Sequence, residues 1–297
     1  MENANLFIFF IMAKQTLVFE TPRELSLEGG MIAITDRDSG EIWYRSIEDI
    51  GTILVDNHSV RLTIPLLTKL ATLNVGVIFC DERHMPVSML MDLDSNSLQS
   101  KRFQCQLSAS IPTKKQLWKQ IVTAKIKNQS MLLEKRGKGR GVLLRYYSNV
   151  KSGDSTNREG VAAKAYWKQL LGKDFIRDRY GESPNNLLNY GYALLRAYVA
   201  RYLMNAGLLP TVGIFHRSAY NSFPLADDVM EPYRPYVDMR VMELFTEGCT
   251  DIDRKVKKIL LESLYEDIVP QQLQMTCTTL VNAYENKGGI IVYPEIK

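Results

Sequence analysis

Short apolar runs bounded by turn residues dominate the first 95 positions. "TLVFE", "GMIAIT", "EIWYRS", "GTILVD" and "VGVIFCD" each read as a strand. "TDRDSGE" reads as a polar hairpin connection between two of them. One segment breaks the pattern. "SVRLTIPLLTKLATLN" places Ile64, Leu67, Leu70 and Leu73 at helical spacing, with Pro65 near the start, and predicts a helix.

From "DSNSLQSKRF" onward the period becomes helical. "TKKQLWKQIVTAKIKNQSMLLEK" aligns Leu117, Ile121, Ala124, Asn128 and Leu132 on one face. "KRGKGRG" (135–141) is a basic loop broken by glycine, and "SPNNLLNYGYALLRAYVARYLMNAGLLP" is a long helix that Gly207 closes. "PLADDVMEPYRPYVDMRVMELFTEG" reads as a further helix, and the tail "NKGGIIVYPEIK" returns to strand or loop. The expected fold class is therefore α+β. A small β-rich domain covers residues 1–95, a larger all-α domain covers 96–297, and the boundary lies near 92–100.

The apolar run Leu6–Met12 is far shorter than the roughly 20 residues that cross a bilayer. No basic segment precedes it and no small-residue cleavage site follows, which argues against a secretory signal. Residues 1–11 read as a start-site extension, with translation beginning at Met12. No membrane association is expected, and the location read from the sequence is the cytoplasm.

The composition is that of a soluble globular protein, with 45% hydrophobic and 24% charged residues. Cys80, Cys105, Cys249 and Cys277 are scattered without a C-x-x-C pair, so neither a zinc knuckle nor a disulfide framework is suggested and they read as free buried thiols. Charge changes the picture more. Residues 101–151 carry thirteen Lys and Arg against Glu134 alone, whereas residues 1–100 carry seven against fourteen Asp and Glu. So basic a block is a candidate for phosphate contact, or else a solvated helical face.

The candidate chemistry lies in three places. Glu159 follows Thr156 at the head of a helix, in the T-x-x-E spacing of a capping box. His216 ends the apolar "GIFH" just before a loop, where a structural histidine is also at home. Glu231 follows Asp227 and Asp228 at helical offsets, with Arg234 three residues on as a possible compensator. One imidazole and several carboxylates suit Mg²⁺ or Mn²⁺, the histidine favouring Mn²⁺ somewhat. The alternative is an acidic helix start, a capping glutamate and a core histidine.

In order, "NREGVAAKAYW", "LNYGYALLR", "GIFH" and "LADDVMEPYRP" resemble the CRISPR-associated integrase family, the first of the numbered Cas proteins. The resemblance covers nearly the whole chain after Met12. The "MEPYRP" form is most similar to members from type II systems, whose effector is a single-protein nuclease. It implies that Glu159, His216 and Glu231 are catalytic and hold the metal. Glutamate stands at 231 where many members have aspartate, which leaves Asp227 and Asp228 as accessory acids. The implied protein is a homodimer that joins the second numbered Cas protein, and possible contact with the type II effector nuclease follows from the subtype. The implied reaction is transesterification, in which prespacer 3′-hydroxyls attack a repeat-array phosphodiester. The β-rich domain would supply the dimer contact and the α-helical domain the catalysis.

On the DNA side, Lys114, Lys115, Lys119, Lys125, Lys127, Lys138 and Arg140 are expected to line the duplex path. Arg196 and Arg201 are expected to grip the reacting phosphate or to form helix–helix salt bridges. Two rival readings share these features: a nucleic-acid-binding protein without catalysis, and a metal-dependent DNA-repair nuclease without integration.

Overall fold

The computed structural model describes residues 6–9, 15–91, 94–266, 268 and 270–297. It divides into two compact units, residues 1–95 and 96–297. The proposed initiator Met12 lies outside the described residues. Among those described, no helix is long and apolar enough to cross a membrane.

The first unit runs β1 (Leu6–Phe9), β2 (Gln15–Phe19), β3 (Arg23–Glu28), β4 (Met31–Asp36), β5 (Ile42–Ser46), β6 (Ile50–Val55), β7 (Arg61–Leu62), α1 (Ile64–Thr72), β8 (Gly76–Cys80) and β9 (Pro86–Leu90). Its strands form two sheets, ordered β1-β2-β6-β8-β9 and β5-β4-β3-β7. β2, β6 and β8 pair in parallel, with Leu17 opposite Ile53 and Ile53 opposite Val77. A parallel centre is covered on both faces, which explains why these strands read as unbroken apolar runs and why every residue of β6 is buried. The "TDRDSGE" connection joins β4 to β5, and Asp36 accepts from the backbone amides of Asp38 and Ser39.

Three strands have no clear mark in the sequence. β3 offers only two leucines among charged residues, β7 has two residues, and β9 begins at a proline on the sheet edge. The face of α1 also differs from expectation. Leu66 and Leu70 are buried, whereas Ile64, in the opening turn, is 72% exposed. Leu66 and Leu70, four apart, share a face and join the core of Leu17, Leu25, Ile34 and Ile53.

The second unit contains α2 (Gln99–Leu107), α3 (Ile111–Lys135), α4 (Gly141–Tyr147), α5 (Arg158–Leu171), α6 (Asn185–Asn205), α7 (Pro224–Met230), α8 (Arg234–Thr246), α9 (Arg254–Glu266) and α10 (Pro270–Glu285). The organising element is α3, 25 residues or about 37 Å of helix, packed against α4, α5, α7 and α8. Ser110 caps it by accepting from the Thr113 amide, and Pro112 lies in the first turn, where its missing N–H costs nothing. α6 crosses α8 at Gly191; a Cβ there would lie 2.4 Å from Val237 Cγ1, so only glycine permits that approach. Gly207 follows the end of α6 at φ 74°, and the Leu208 amide reaches back to the Leu203 carbonyl.

One expected helix is two. Between α7 and α8 a 3-10 turn covers Glu231–Tyr233. Pro232 and Pro235 each lack an amide donor and crowd the preceding turn, so the helix cannot run through. The tail after α10 forms neither strand nor helix. It lies along α3, where Gln120 bonds Gly289 and Ile291, and Asn128 bonds Pro294 and Ile296.

Candidate active site

Glu159 occupies the first turn of α5 but does not cap it. Asn157, at φ 50°, accepts from the Gly160 amide at 3.3 Å. Asp154 accepts from the Arg158 and Glu159 amides at 2.7 and 2.9 Å. These two side chains satisfy the orphan donors that the T-x-x-E box would have served. The box is not formed, because the left-handed conformation at Asn157 starts the helix one residue after Thr156. The Glu159 carboxylate is thereby free to leave its own helix, and Oε1 accepts from Lys125 Nζ at 2.6 Å.

Lys125 corrects the expectation that it lines a DNA path. It projects from the buried side of α3, is 8% exposed, and also stands 2.5 Å from Glu231 Oε2. Glu231 is 4% exposed, and its other oxygen pairs with Arg234 Nε at 3.0 Å. The compensation read for Arg234 is therefore present, with Lys125 as an unforeseen second cation. Burial alone would raise the pKa of Glu231, but the charges of Arg234 and Lys125 outweigh it and the carboxyl is held below its ordinary range. Burial opposes the charge on Lys125 too, yet Glu231 and Glu159 overcome it and the ammonium's pKa is raised.

His216 closes the "GIFH" loop. Asp228 is fully buried and gathers that loop: it accepts from the amides of Ile214 at 2.6 Å, Phe215 at 2.9 Å and His216 at 3.3 Å, and it meets His216 Nδ1 at 2.6 Å. With Asp228 as acceptor, Nδ1 carries the proton, and in the neutral ring Nε2 keeps its lone pair. The hydrogen bond to Asp228 raises the imidazole pKa against the opposing effect of burial. Phe215 stacks flat on Trp118 of α3 at 4.3 Å, and the His216 ring meets the same Trp118 edge-on. Gly213 is required here, since a Cβ would lie 2.4 Å from the His216 carbonyl oxygen.

The three acids expected on one helical face part company. Asp228 holds the loop, Glu231 turns to Lys125 and Arg234, and Asp227 pairs with Arg196 Nε at 3.0 Å and with Asn221 at 2.7 Å. The change from α7 to a 3-10 turn at Glu231 accounts for the divergence. Arg196 is thus engaged in an interhelical ion pair and lies over Phe223; Arg201 lies over Tyr202.

Behind the site, buried Asp238 of α8 accepts from Tyr166 of α5 at 2.7 Å and from Tyr192 of α6. No motif or spacing in the sequence announces this clamp. Burial pushes the Asp238 pKa up from 3.8 to about 6, against the two tyrosine hydrogen bonds. Between about pH 4 and 6 the folded state keeps a proton that the unfolded chain releases, so this group's contribution to stability falls as pH rises through that window. Urea unfolding of wild type and Asp238→Asn between pH 4 and 7.5 should show their difference changing up to about pH 6 and level above it. Asn128, also buried, donates to the Pro232 carbonyl at 2.8 Å and so fixes the turn that carries Glu231.

Of the remaining basic positions, Lys115, Lys119, Lys138 and Arg140 are exposed, and Lys114 and Lys127 are half-buried. Lys127 pairs with Glu295 and Arg140 with Glu134.

Carboxylates from α5 and from the 3-10 turn, with an imidazole on the loop that Asp228 gathers, are hard donors of the kind that suit Mg²⁺ or Mn²⁺. Glu159 and Glu231 already converge on one cation, the Lys125 ammonium. Among the described residues, however, no three His, Cys, Asp or Glu side chains close into a ready-made metal group.

Residues 16–269 match the family model for CRISPR associated protein Cas1. The CRISPR-associated endonuclease Cas1 of Neisseria meningitidis is 37% identical over 261 residues, covering 86% of this chain and 85% of that one. Among solved structures, a casposase bound to integration product superposes with a TM-score of 0.77 at 21% identity, covering 95% of this chain and 94% of that one. A Cas6-RT-Cas1–Cas2 complex gives 0.72 at 21% identity, over 94% of this chain and 36% of that one. The match along most of the sequence, together with the shared fold, places this chain in the CRISPR-associated Cas1 family of endonucleases.

Proposed function

We propose that the chain is a metal-dependent DNA endonuclease and integrase of CRISPR adaptation, with Glu159, Glu231 and His216 Nε2 as metal ligands. The observation that carries this reading is the convergence of Glu159 and Glu231, from two elements, on a single cation at 2.6 and 2.5 Å. Mg²⁺ or Mn²⁺ bound there would supply Lewis-acid stabilisation of charge on the attacked phosphate and the leaving oxygen. The protein's own groups do the rest. Asp228 fixes the His216 tautomer, Arg234 neutralises one side of Glu231, and the Trp118–Phe215 stack holds the loop in place. No serine or cysteine nucleophile is needed when a DNA 3′-hydroxyl attacks.

Glu159→Gln tests the reading. The change keeps the shape, and the cap is made by Asn157 and Asp154, so α5 should persist. Strand cleavage and joining should be lost while duplex affinity stays within a few-fold. A Glu159→Gln protein that unfolds, or one that joins DNA normally, would refute the assignment.

The endonuclease from Neisseria and the casposase bound to integration product favour cleavage and joining of nucleic acid, and the complex containing Cas1–Cas2 favours Cas2 as partner. A homodimer built on residues 1–95 fits the exposed Met31, Ile42 and Tyr44 on β4 and the edge strand β5. The kinship with type II systems makes the effector nuclease a further partner to test. Lys115, Lys119, Lys138 and Arg140 are the exposed positions that would meet phosphates. Neutralising them should weaken duplex binding gradually and lower the log–log salt slope by about 0.9 for each phosphate no longer neutralised. An unchanged slope in a fluorescence titration of the fourfold variant would put the DNA elsewhere.

A further inference from the structure

Between the two carboxylates assigned above to a divalent cation, the protein holds a cation of its own. Lys125 Nζ lies 2.6 Å from Glu159 Oε1 and 2.5 Å from Glu231 Oε2. A divalent ion shared by those carboxylates would sit roughly 2.0–2.6 Å from its oxygens. The ammonium and the ion therefore claim the same place and would repel one another there.

Lys125 holds both carboxylates by short contacts. With Glu159 it makes a hydrogen bond. Glu231 also takes a side-chain hydrogen bond from Lys125, whose Nζ stands 2.5 Å from Oε2. The other oxygen of Glu231 remains with Arg234. The Arg234 contact anchors the carboxylate through Oε1, so Oε2 can exchange the ammonium for another cation while Glu231 stays in place.

Resting on the metal-site reading, we propose that Lys125 is a resident counter-cation that holds Glu159 and Glu231 together in the metal-free protein and is expelled from between them when the divalent ion binds. Without metal, Lys125 and Arg234 balance the two glutamates, so buried Glu231 and half-buried Glu159 avoid mutual repulsion. Once the ion replaces the ammonium, the same cluster carries a net positive charge. The site is then attractive to a phosphodiester only when loaded. Metal affinity is set below what the donor set alone would give, because the ion must first displace a built-in competitor.

Accessibility of the amine reads the exchange directly. Wild-type protein is pulsed with an acetylating reagent, with and without Mn²⁺, and acetylation at Lys125 is followed by peptide mass spectrometry. Manganese binding is measured on the same samples by electron paramagnetic resonance. Mn²⁺ should raise labelling of Lys125 at least tenfold and leave exposed Lys115 and Lys119 unchanged. Lys125→Met should bind Mn²⁺ at least tenfold more tightly, melt at lower temperature without metal, and gain more in melting temperature when metal is added.

Mn²⁺ bound by wild type with Lys125 still protected would overturn the proposal and leave the metal site standing. So would a folded Lys125→Met that binds Mn²⁺ no better than wild type. Wild type that binds no Mn²⁺ would instead remove the metal-site reading and this inference with it. Should Lys125→Met not fold, labelling of wild type decides alone.

Discussion

Asp228→Ala should cost about 3–5 kcal/mol of folding stability and abolish strand joining in whatever protein still folds. Asp228 is fully buried and serves four donors: three successive backbone amides of the "GIFH" loop and His216 Nδ1. Each buried donor left without an acceptor costs about 1–3 kcal/mol, offset in part where water enters the space. The loop would lose its curvature and His216 its tautomer, so the imidazole lone pair would no longer be directed. Asp228→Asn should be milder in stability, because an amide oxygen can still accept, but it should remain poor in catalysis. Equilibrium urea unfolding separates the two variants. A loss of less than about 1 kcal/mol in Asp228→Ala would mean that the loop is held elsewhere.

Glu231→Gln should lower single-turnover strand joining by about three orders of magnitude. The estimate takes several kcal/mol for charge stabilisation by a bound metal and one tenfold step for roughly every 1.36 kcal/mol. Glutamine occupies the same volume but cannot supply the charge that draws in a divalent cation. It also leaves Lys125 and Arg234, both in the buried cluster, with Glu159 as the remaining carboxylate in contact with Lys125, so the variant should be less stable than wild type. Duplex affinity should change little, since exposed lysines rather than Glu231 face the phosphates in this reading. Joining within tenfold of wild type would place the chemistry away from Glu231.

Much of this arrangement is legible in the sequence. Unbroken apolar runs mark β2, β6 and β8 because a parallel centre is buried on both sides. Helical spacing marks α3, and Gly207 marks the end of α6. The motifs around Glu159, His216 and Glu231 single out side chains that the fold sets around α3. Lys125 reads as surface because a lysine among lysines looks solvated, and only the path of α3 between α5 and the Glu231 turn shows that it points inward. The capping box fails because Asn157 takes a left-handed conformation that no spacing rule announces. The break at Glu231 is foreseeable from Pro232 and Pro235, whose ring geometry forbids a continuous helix. The Tyr166–Asp238–Tyr192 clamp joins three helices through isolated residues, and no local pattern reports a contact of that range.

The tail pinned along α3 has a consequence for the order in which the enzyme is made. Asn128 holds the Pro232 carbonyl, beside Glu231, and uses the same amide group to grip Pro294 and Ile296. Those two residues lie later in the chain than every helix of the unit. During synthesis α3, α5 and the Glu231 turn leave the ribosome first, and the tail contacts that complete the bonding of Asn128 arrive afterwards. A nascent chain would therefore carry the acidic side chains of a nuclease well before it has their final geometry.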